Sequence, residues 1–170
     1  MSKIKTTNYS GISKFYFDKI ILEIISLGKL NLPDKKILDF GCGEKRLEKM
    51  LNKKIYNYDI NPIYNEVDQL SSVKFDIVVM NHVLMYLSKN QIEVLLSKFI
   101  SINPNCEFLI GIGKQNFVSF LAKSITLNFK AHEGTISSYN EQLNAINNSM
   151  NIIKSKKNIF LMTDLFLCKF

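Results

Sequence analysis

The fold is decided by three stretches between positions 36 and 87: KILDFGCGEKRLEKML (36–51), KIYNYDINP (54–62) and KFDIVVMNHVLMYL (74–87). Each contains a short apolar run of the kind that forms a buried strand in a parallel sheet. The runs end in polar residues, namely Gly41-Cys42-Gly43, Asp59 and Asn81-His82. Because open parallel sheets bind ligands just beyond the carboxyl ends of their strands, the pattern predicts an α/β fold with a ligand at that edge.

The glycines and the acid narrow the class of ligand. A dinucleotide fingerprint needs a third glycine at position 46, where this chain has Arg46, and no phosphate-loop sequence is present. Asp59 follows the glycine turn at a spacing suited to both hydroxyls of a ribose. Taken singly, the turn and the Asp59-Ile60-Asn61-Pro62 sequence are also compatible with ordinary loop turns. Their joint occurrence in order favours an adenosine compound without a pyrophosphate.

ILDFGCG, YDINP and FDIVVMNHVLMYL resemble motifs of the class I S-adenosylmethionine-dependent methyltransferases, a Rossmann-like family. The chain departs from many members at Lys45, where they have a further glycine. The resemblance implies S-adenosylmethionine as cofactor. It also implies which residues contact each part of the cofactor. The methionine half is contacted by Asp39, Gly41, Cys42 and Gly43, and the ribose by Asp59. The adenine is contacted by Ile60, Asn61, Asp68, Gln69 and Leu70, and the methyl group is faced by Asn81 and His82.

The expected architecture is a three-layer Rossmann-like sandwich over residues 1–170, a single domain. Its mostly parallel seven-stranded sheet has helices on both faces and a C-terminal antiparallel hairpin. An amphipathic helix at 8–28 covers the core, and the short segment after Pro62 leaves room only for a brief strand near Val67. Further helices are predicted at 45–51, 89–102, near 116–125 and at 139–150, and further strands at 106–112, 152–155 and 159–168.

Composition restricts the cellular setting and the partners. The net charge is +7, but Arg46 is the only arginine and the lysines are dispersed, so we do not favour a nucleic-acid partner. Cys42, Cys106 and Cys168 match neither a zinc pattern nor a disulfide framework, and we expect no metal. Because the sequence has no signal-peptide or membrane-spanning pattern, we expect a cytoplasmic protein that binds no membrane. We expect a monomer or a homodimer.

The methyl acceptor is the least determined feature. Asn81-His82-Val83-Leu84 stands where methyltransferases of nucleobase amino groups typically have an Asn/Asp-Pro-Pro-aromatic motif. We therefore expect a small-molecule acceptor methylated on O or N. An RNA or ribosomal methyltransferase, or a non-catalytic cofactor-binding partner subunit, are the alternatives. We expect His132, in the loop 130–137, to be the general base, and His82 to pack on the cofactor. Helical spacing favours packing in the core, rather than covering of the active site, for most of Tyr9, Tyr16 and Tyr86.

Overall fold

The computed structural model describes residues 11–114, 134–157 and 160–170. These residues form one six-stranded sheet in the order β2-β1-β3-β4-β6-β5. The strands are β1 (Ile37–Phe40), β2 (Tyr56–Tyr58), β3 (Ile77–Asn81), β4 (Glu107–Gly113), β5 (Asn151–Lys157) and β6 (Thr163–Lys169). β1 to β4 pair in parallel, whereas β6 runs antiparallel to both β4 and β5. The carboxyl ends of β1 to β4 therefore share one edge of the sheet with the start of β6.

Helices cover both faces of the sheet. The described helices are α1 (Gly11–Gly28), α2 (Arg46–Leu51), α3 (Lys89–Ile102) and α4 (Tyr139–Ser149). α1 and α2 bury Ile20, Ile24 and Leu47 on one face, with Val79 of β3. α3 and α4 cover the other face, where the neighbouring residue of the same strand, Val78, is buried. Successive side chains of a strand point to opposite faces, so an uninterrupted apolar strand supplies both cores.

Capping explains why the two helices of that second face begin where they do. Ser88 and Ser138 each accept a hydrogen bond from the backbone three residues on, and Gln91 and Glu141 bond back to the capping residue. Such capping boxes satisfy backbone donors that a helix start leaves unpaired. None of the helices in the described ranges is long and apolar enough to cross a membrane.

One prediction about the sheet, the brief strand near Val67, needs correction. The seven-stranded sheet is wrong for the described residues, because no strand forms near Val67. Glu66 N–H instead bonds once to the Asn57 carbonyl, and a short 3₁₀ turn at Leu70–Ser72 leads towards β3. The segment 62–74 places Val67 and Leu70 in the core without entering the sheet.

Several predictions fall outside the described residues. These are the helix near 116–125, Tyr9 and His132, together with parts of the 8–28 helix, of the 130–137 loop and of the hairpin turn.

Candidate functional site

The turn after β1 is built on two glycines in left-handed conformations. Gly41 has φ +82° and Gly43 has φ +48°, a region that residues with a Cβ rarely occupy. The N–H groups of Gly41 and Cys42 both donate to the Tyr58 carbonyl, at 2.8 and 3.2 Å, which ties the turn to the end of β2. A Cβ at Gly41 would lie 2.4 Å from Val83 Cγ2, whereas a Cβ at Gly43 would meet nothing within 4 Å. The turn is packed on one side and open at Gly43.

Asp59 organises the open side of this turn. Its Oδ2 accepts the Gly43 N–H at 2.9 Å, and its Oδ1 accepts the Asn61 N–H at 2.8 Å. A carboxylate oxygen has a second lone pair, so Asp59 retains capacity to accept hydrogen bonds from ligand hydroxyls. The Ile60 side chain, between Asp59 and Asn61 in the sequence, is 79% exposed and offers an apolar surface at the same edge of the sheet. Together these residues can hold a sugar against the turn and a flat apolar ring beside it.

Asp39, the third residue of β1, is a buried acid beneath the turn. Burial, with smaller contributions from the charges of Asp59 and Glu48, raises its pKa from 3.8 to about 7. Near neutral pH the carboxyl is therefore poised between its neutral and ionised forms. A ligand cation placed next to it would favour ionisation, so the three acids create a local preference for a positively charged group.

Cys42 and the residues from 68 to 70 contribute unequally to this edge. Burial raises the pKa of the Cys42 thiol to about 12, so the group stays protonated, and its Sγ points to the carbonyls of Gly43 and Tyr64. Asp68 and Gln69 are exposed, whereas the Leu70 side chain lies in the core. Only the first two of that trio offer side chains to a ligand.

At the end of β3, Asn81 and His82 face β4 and β6. A Cβ at Gly111 would lie 2.4 Å from Asn81 Oδ1, so this glycine makes room for the Asn81 side chain. His82 has φ +57°, and its Nε2 lies 2.9 Å from Thr163 Oγ1. The same hydroxyl lies 2.6 Å from the Tyr16 OH of α1. The His82 ring is thus held by a hydrogen-bonded chain through β6 to α1, and Phe17 of α1 packs edge-on against it.

A second polar cluster lies at the same edge on the opposite face of the sheet. The buried Asp164 Oδ2 accepts a hydrogen bond from the Tyr139 OH at 2.6 Å and pairs with Lys114 Nζ at 2.7 Å. Burial, followed by the Asp164 hydrogen bond and charge, raises the pKa of Tyr139, so its hydroxyl remains a donor. Asp164 Oδ1 has no hydrogen-bond partner in the described ranges. The cluster joins the start of β6, the residue after β4 and the first turn of α4.

Arg46, the residue in place of a third glycine, reaches Asp18 on α1. Its Nε lies 3.7 Å from Asp18 Oδ1, and both residues line a cavity of about 310 Å³ between α1 and α2. The cavity is lined by Lys14, Asp18, Glu44, Arg46, Lys49 and Met50. The arginine therefore links two helices and leaves the space at Gly43 open.

The structure brings most of the predicted cofactor residues to one edge. The turn, Asp39, Asp59 and Asn61 are joined around the end of β1, whereas Asn81 and His82 lie towards β4 and β6. Sequence reasoning missed Val83, which packs on Gly41, and Thr163, which holds His82. The sequence carried no signal for either residue, because both contacts join segments far apart in the chain. The glycines of Gly-Ile-Gly at the end of β4 instead make room for the predicted Asn81 and His82 side chains.

Comparison with known proteins identifies the fold. No protein-family model and no curated protein matches the sequence. Solved structures do match. A magnesium protoporphyrin IX methyltransferase from Synechocystis with bound S-adenosylhomocysteine has a TM-score of 0.62 at 13% identity, over 98% of this chain and 90% of that one. A TehB-like methyltransferase from Corynebacterium glutamicum has a TM-score of 0.58 at 17% identity, over 91% and 87%.

A third similar structure is that of an enzyme that methylates RNA rather than a porphyrin. The 16S rRNA methylase ArmA has a TM-score of 0.55 at 16% identity, and the match covers 92% of this chain and 87% of that one. Enzymes that methylate a porphyrin and a ribosomal RNA thus share this architecture. The chain has the fold of the class I S-adenosylmethionine-dependent methyltransferases.

Proposed function

We propose that this protein is an S-adenosylmethionine-dependent methyltransferase acting on the O or N atom of a small molecule. The observation that carries the proposal is the turn after β1, which is tied to β2 and open at Gly43, with Asp59 beside the opening. This arrangement stands in a fold shared with a methyltransferase solved with bound S-adenosylhomocysteine. The residues present therefore fit an adenosine cofactor.

In the proposed complex, each residue at the edge has a distinct binding role. Asp39 and the Gly41–Gly43 turn hold the methionine half, with the raised pKa of Asp39 responding to the positive amino group. Asp59 accepts hydrogen bonds from the ribose, and the exposed Ile60 packs on the adenine with Asn61 beside it. The remaining adenine contacts come from the segment 68–70, and Asn81 and His82 face the methyl group.

Bound S-adenosylmethionine supplies a methyl group already activated by its sulfonium. The chain then has to hold the acceptor in line, exclude water and remove a proton where the acceptor is a hydroxyl or an ammonium. Because Thr163 and Phe17 fix the His82 ring, we assign His82 to positioning. We retain His132 as the proposed general base on the sequence alone.

Charge pairing supports a small acceptor over RNA. Several of the lysines behind the net charge of +7 are in ion pairs: Lys35 and Lys169 with Glu107, Lys45 and Lys54 with Glu66, and Lys114 with Asp164. Paired lysines contribute less to a continuous basic surface of the kind that follows a phosphate backbone. We also propose the reducing cytoplasm as its compartment, because Cys42, Cys106 and Cys168 are free buried thiols.

Calorimetry with S-adenosylhomocysteine tests the cofactor assignment. We expect micromolar affinity, about 8 kcal/mol of binding free energy, and no binding of nicotinamide dinucleotides. Absence of binding by a folded sample would remove the assignment.

Methyl incorporation from labelled S-adenosylmethionine, measured with metabolite fractions and with total RNA at increasing salt, tests the acceptor class. Incorporation into metabolites that is insensitive to moderate salt supports the proposal. RNA methylation accompanied by binding that falls steeply with salt would establish the RNA alternative. Cofactor binding without transfer to either pool would favour a non-catalytic subunit.

A further inference from the structure

Lys45 has an unusual backbone conformation immediately after the glycine turn. Its φ and ψ are 57° and 40°, in the left-handed region, and it precedes α2 without a side-chain cap. Left-handed backbone is unfavourable for a residue with a Cβ and is normally given to glycine. Lys45 N–H nevertheless donates to the Cys42 carbonyl at 2.9 Å, which closes the turn. The shape of the turn therefore depends on keeping Lys45 in this conformation.

The Lys45 side chain is held from the other side of the site. Its ammonium lies 2.5 Å from Glu66 Oε1, in the segment after β2. Glu66 also accepts hydrogen bonds from Asn57 Nδ2 at 2.9 Å and from Lys54 Nζ at 3.0 Å. These donors, led by Asn57 and Lys45, lower the pKa of Glu66 to about 2. The Glu66 carboxylate that pairs with the Lys45 ammonium is thus charged at neutral pH and bonded to three donors.

Glu66 itself is anchored to the sheet. Its N–H donates to the carbonyl of Asn57 at 2.9 Å, and the Asn57 side chain is fully buried in β2. Two residues earlier, the Tyr64 carbonyl lies 3.6 Å from Cys42 Sγ. The segment 64–66 therefore meets the turn both through Cys42 and through the Glu66–Lys45 ion pair.

We propose that Glu66 is a positioning residue that holds Lys45 in its left-handed conformation and so keeps the turn at 41–43 shaped for the cofactor. This inference rests on the proposed function of the same site. The ion pair replaces the conformational freedom that a glycine at position 45 would provide. Loss of the Glu66 charge frees Lys45 to leave the strained region, and the turn then spends part of its time in shapes that do not bind.

The test is calorimetry with S-adenosylhomocysteine on Glu66→Gln, Lys45→Gly and the double variant. Glu66→Gln should bind roughly threefold to tenfold more weakly, the range expected from a partly exposed ion pair and one left-handed residue. Lys45→Gly should stay within about twofold of the wild type, because glycine adopts this conformation unaided. The double variant should match Lys45→Gly, so that glycine rescues the loss of Glu66.

Two matched controls separate this effect from charge and from backbone flexibility in general. Glu93→Gln removes a carboxylate that pairs with Lys89 on α3. Lys29→Gly replaces another left-handed lysine, with φ 49°, at the end of α1. Both should bind S-adenosylhomocysteine as the wild type does. Wild-type affinity in Glu66→Gln, or a double variant as weak as Glu66→Gln, would overturn the proposal.

Amide hydrogen exchange of the ligand-free protein keeps the test independent of the cofactor assignment. Glu66→Gln should exchange faster than wild type in peptides covering 41–46 and at the wild-type rate in α3. Unchanged exchange at 41–46 would overturn the positioning role. A wild type that binds no S-adenosylhomocysteine, with faster exchange in Glu66→Gln, would refute the proposed function while leaving the restraint on the turn established.

Discussion

The Asp59 carboxylate accepts a hydrogen bond from the Gly43 amide, with 2.9 Å between Gly43 N and Asp59 Oδ2. The residue proposed to bind the ribose therefore also holds the turn proposed to bind the methionine half. The two parts of the site are coupled before any ligand arrives. A substitution at Asp59 consequently removes a ligand contact and loosens a backbone contact at once.

Asp59→Ala should abolish most S-adenosylhomocysteine binding, a loss of at least about a hundredfold in calorimetry. It should also lower the free energy of unfolding by about 1 to 3 kcal/mol, because the Gly43 and Asn61 amides lose a charged acceptor.

Asp76→Ala is the matched control for Asp59→Ala. Asp76 Oδ2 accepts the Lys36 N–H at 2.8 Å just before β3 begins, at the opposite edge of the sheet. The control should lose stability without losing affinity. Unchanged affinity in a folded Asp59→Ala protein would refute the assignment of Asp59 to the ribose.

The two glycines of the turn should respond differently to alanine. At Gly41 the new Cβ would lie 2.4 Å from Val83 Cγ2, so Gly41→Ala should cost about 1 to 3 kcal/mol of folding stability by overpacking. At Gly43 the Cβ meets only open space, so the cost should be about 1 kcal/mol for the left-handed backbone.

Gly43→Ala should nevertheless lose affinity for S-adenosylhomocysteine, since its methyl group projects where the cofactor is proposed to lie. Thermal unfolding and calorimetry on the two variants separate the effects. Tight binding by Gly43→Ala would place the cofactor elsewhere.

Asp39 should make both stability and affinity depend on pH. Its pKa of about 7 in the folded protein lies above the ordinary 3.8, so the folded state binds the extra proton between those values. Stability is therefore lost as pH rises from about 4 to about 7, by roughly 1 to 4 kcal/mol. Asp39→Asn should flatten this slope in denaturant unfolding measured across that window. Asp34→Asn, at an exposed position before β1, should leave it unchanged.

The affinity for S-adenosylhomocysteine should change with pH in the opposite direction. The positive amino group of S-adenosylhomocysteine favours the ionised form of Asp39, so binding should tighten between about pH 6 and pH 8. This pH dependence of the affinity should disappear in Asp39→Asn. A pH-independent affinity in the wild type would contradict the proposed contact between Asp39 and the amino group of the cofactor.

The two histidines should be distinguishable once an acceptor is identified. His132→Ala should lower turnover by roughly a hundredfold or more, as expected for a lost general base, and leave cofactor affinity unchanged. His82→Ala should weaken binding of S-adenosylhomocysteine. Thr163→Val, which removes the hydroxyl that bonds to His82 Nε2, should reproduce part of that loss. Full turnover by His132→Ala at neutral pH would leave positioning as the source of catalysis.

Local patterns were sufficient to predict the elements that carry the site. Apolar runs ending in Gly41-Cys42-Gly43, Asp59 and Asn81-His82 predicted strands whose ends share one edge, and the structure confirms this for β1, β2 and β3. The α3 helix was likewise predicted from the spacing of its apolar residues, because helix and strand periods are properties of neighbouring residues. The brief strand near Val67 was wrong because apolar content alone does not show whether a segment pairs with a sheet.

The sequence by itself determined the strands β1, β2 and β3, the helix α3 and the residue types at the sheet edge. Only the tertiary structure decided which of those residues meet. Val83 against Gly41, Thr163 with His82, and Glu66 with Lys45 join positions 21 to 81 residues apart. Asp39 acquires its raised pKa only when folding buries it beside Asp59 and Glu48. Periodicity records what a segment prefers locally, whereas distance, desolvation and charge at a site depend on how the packed layers bring separate segments together.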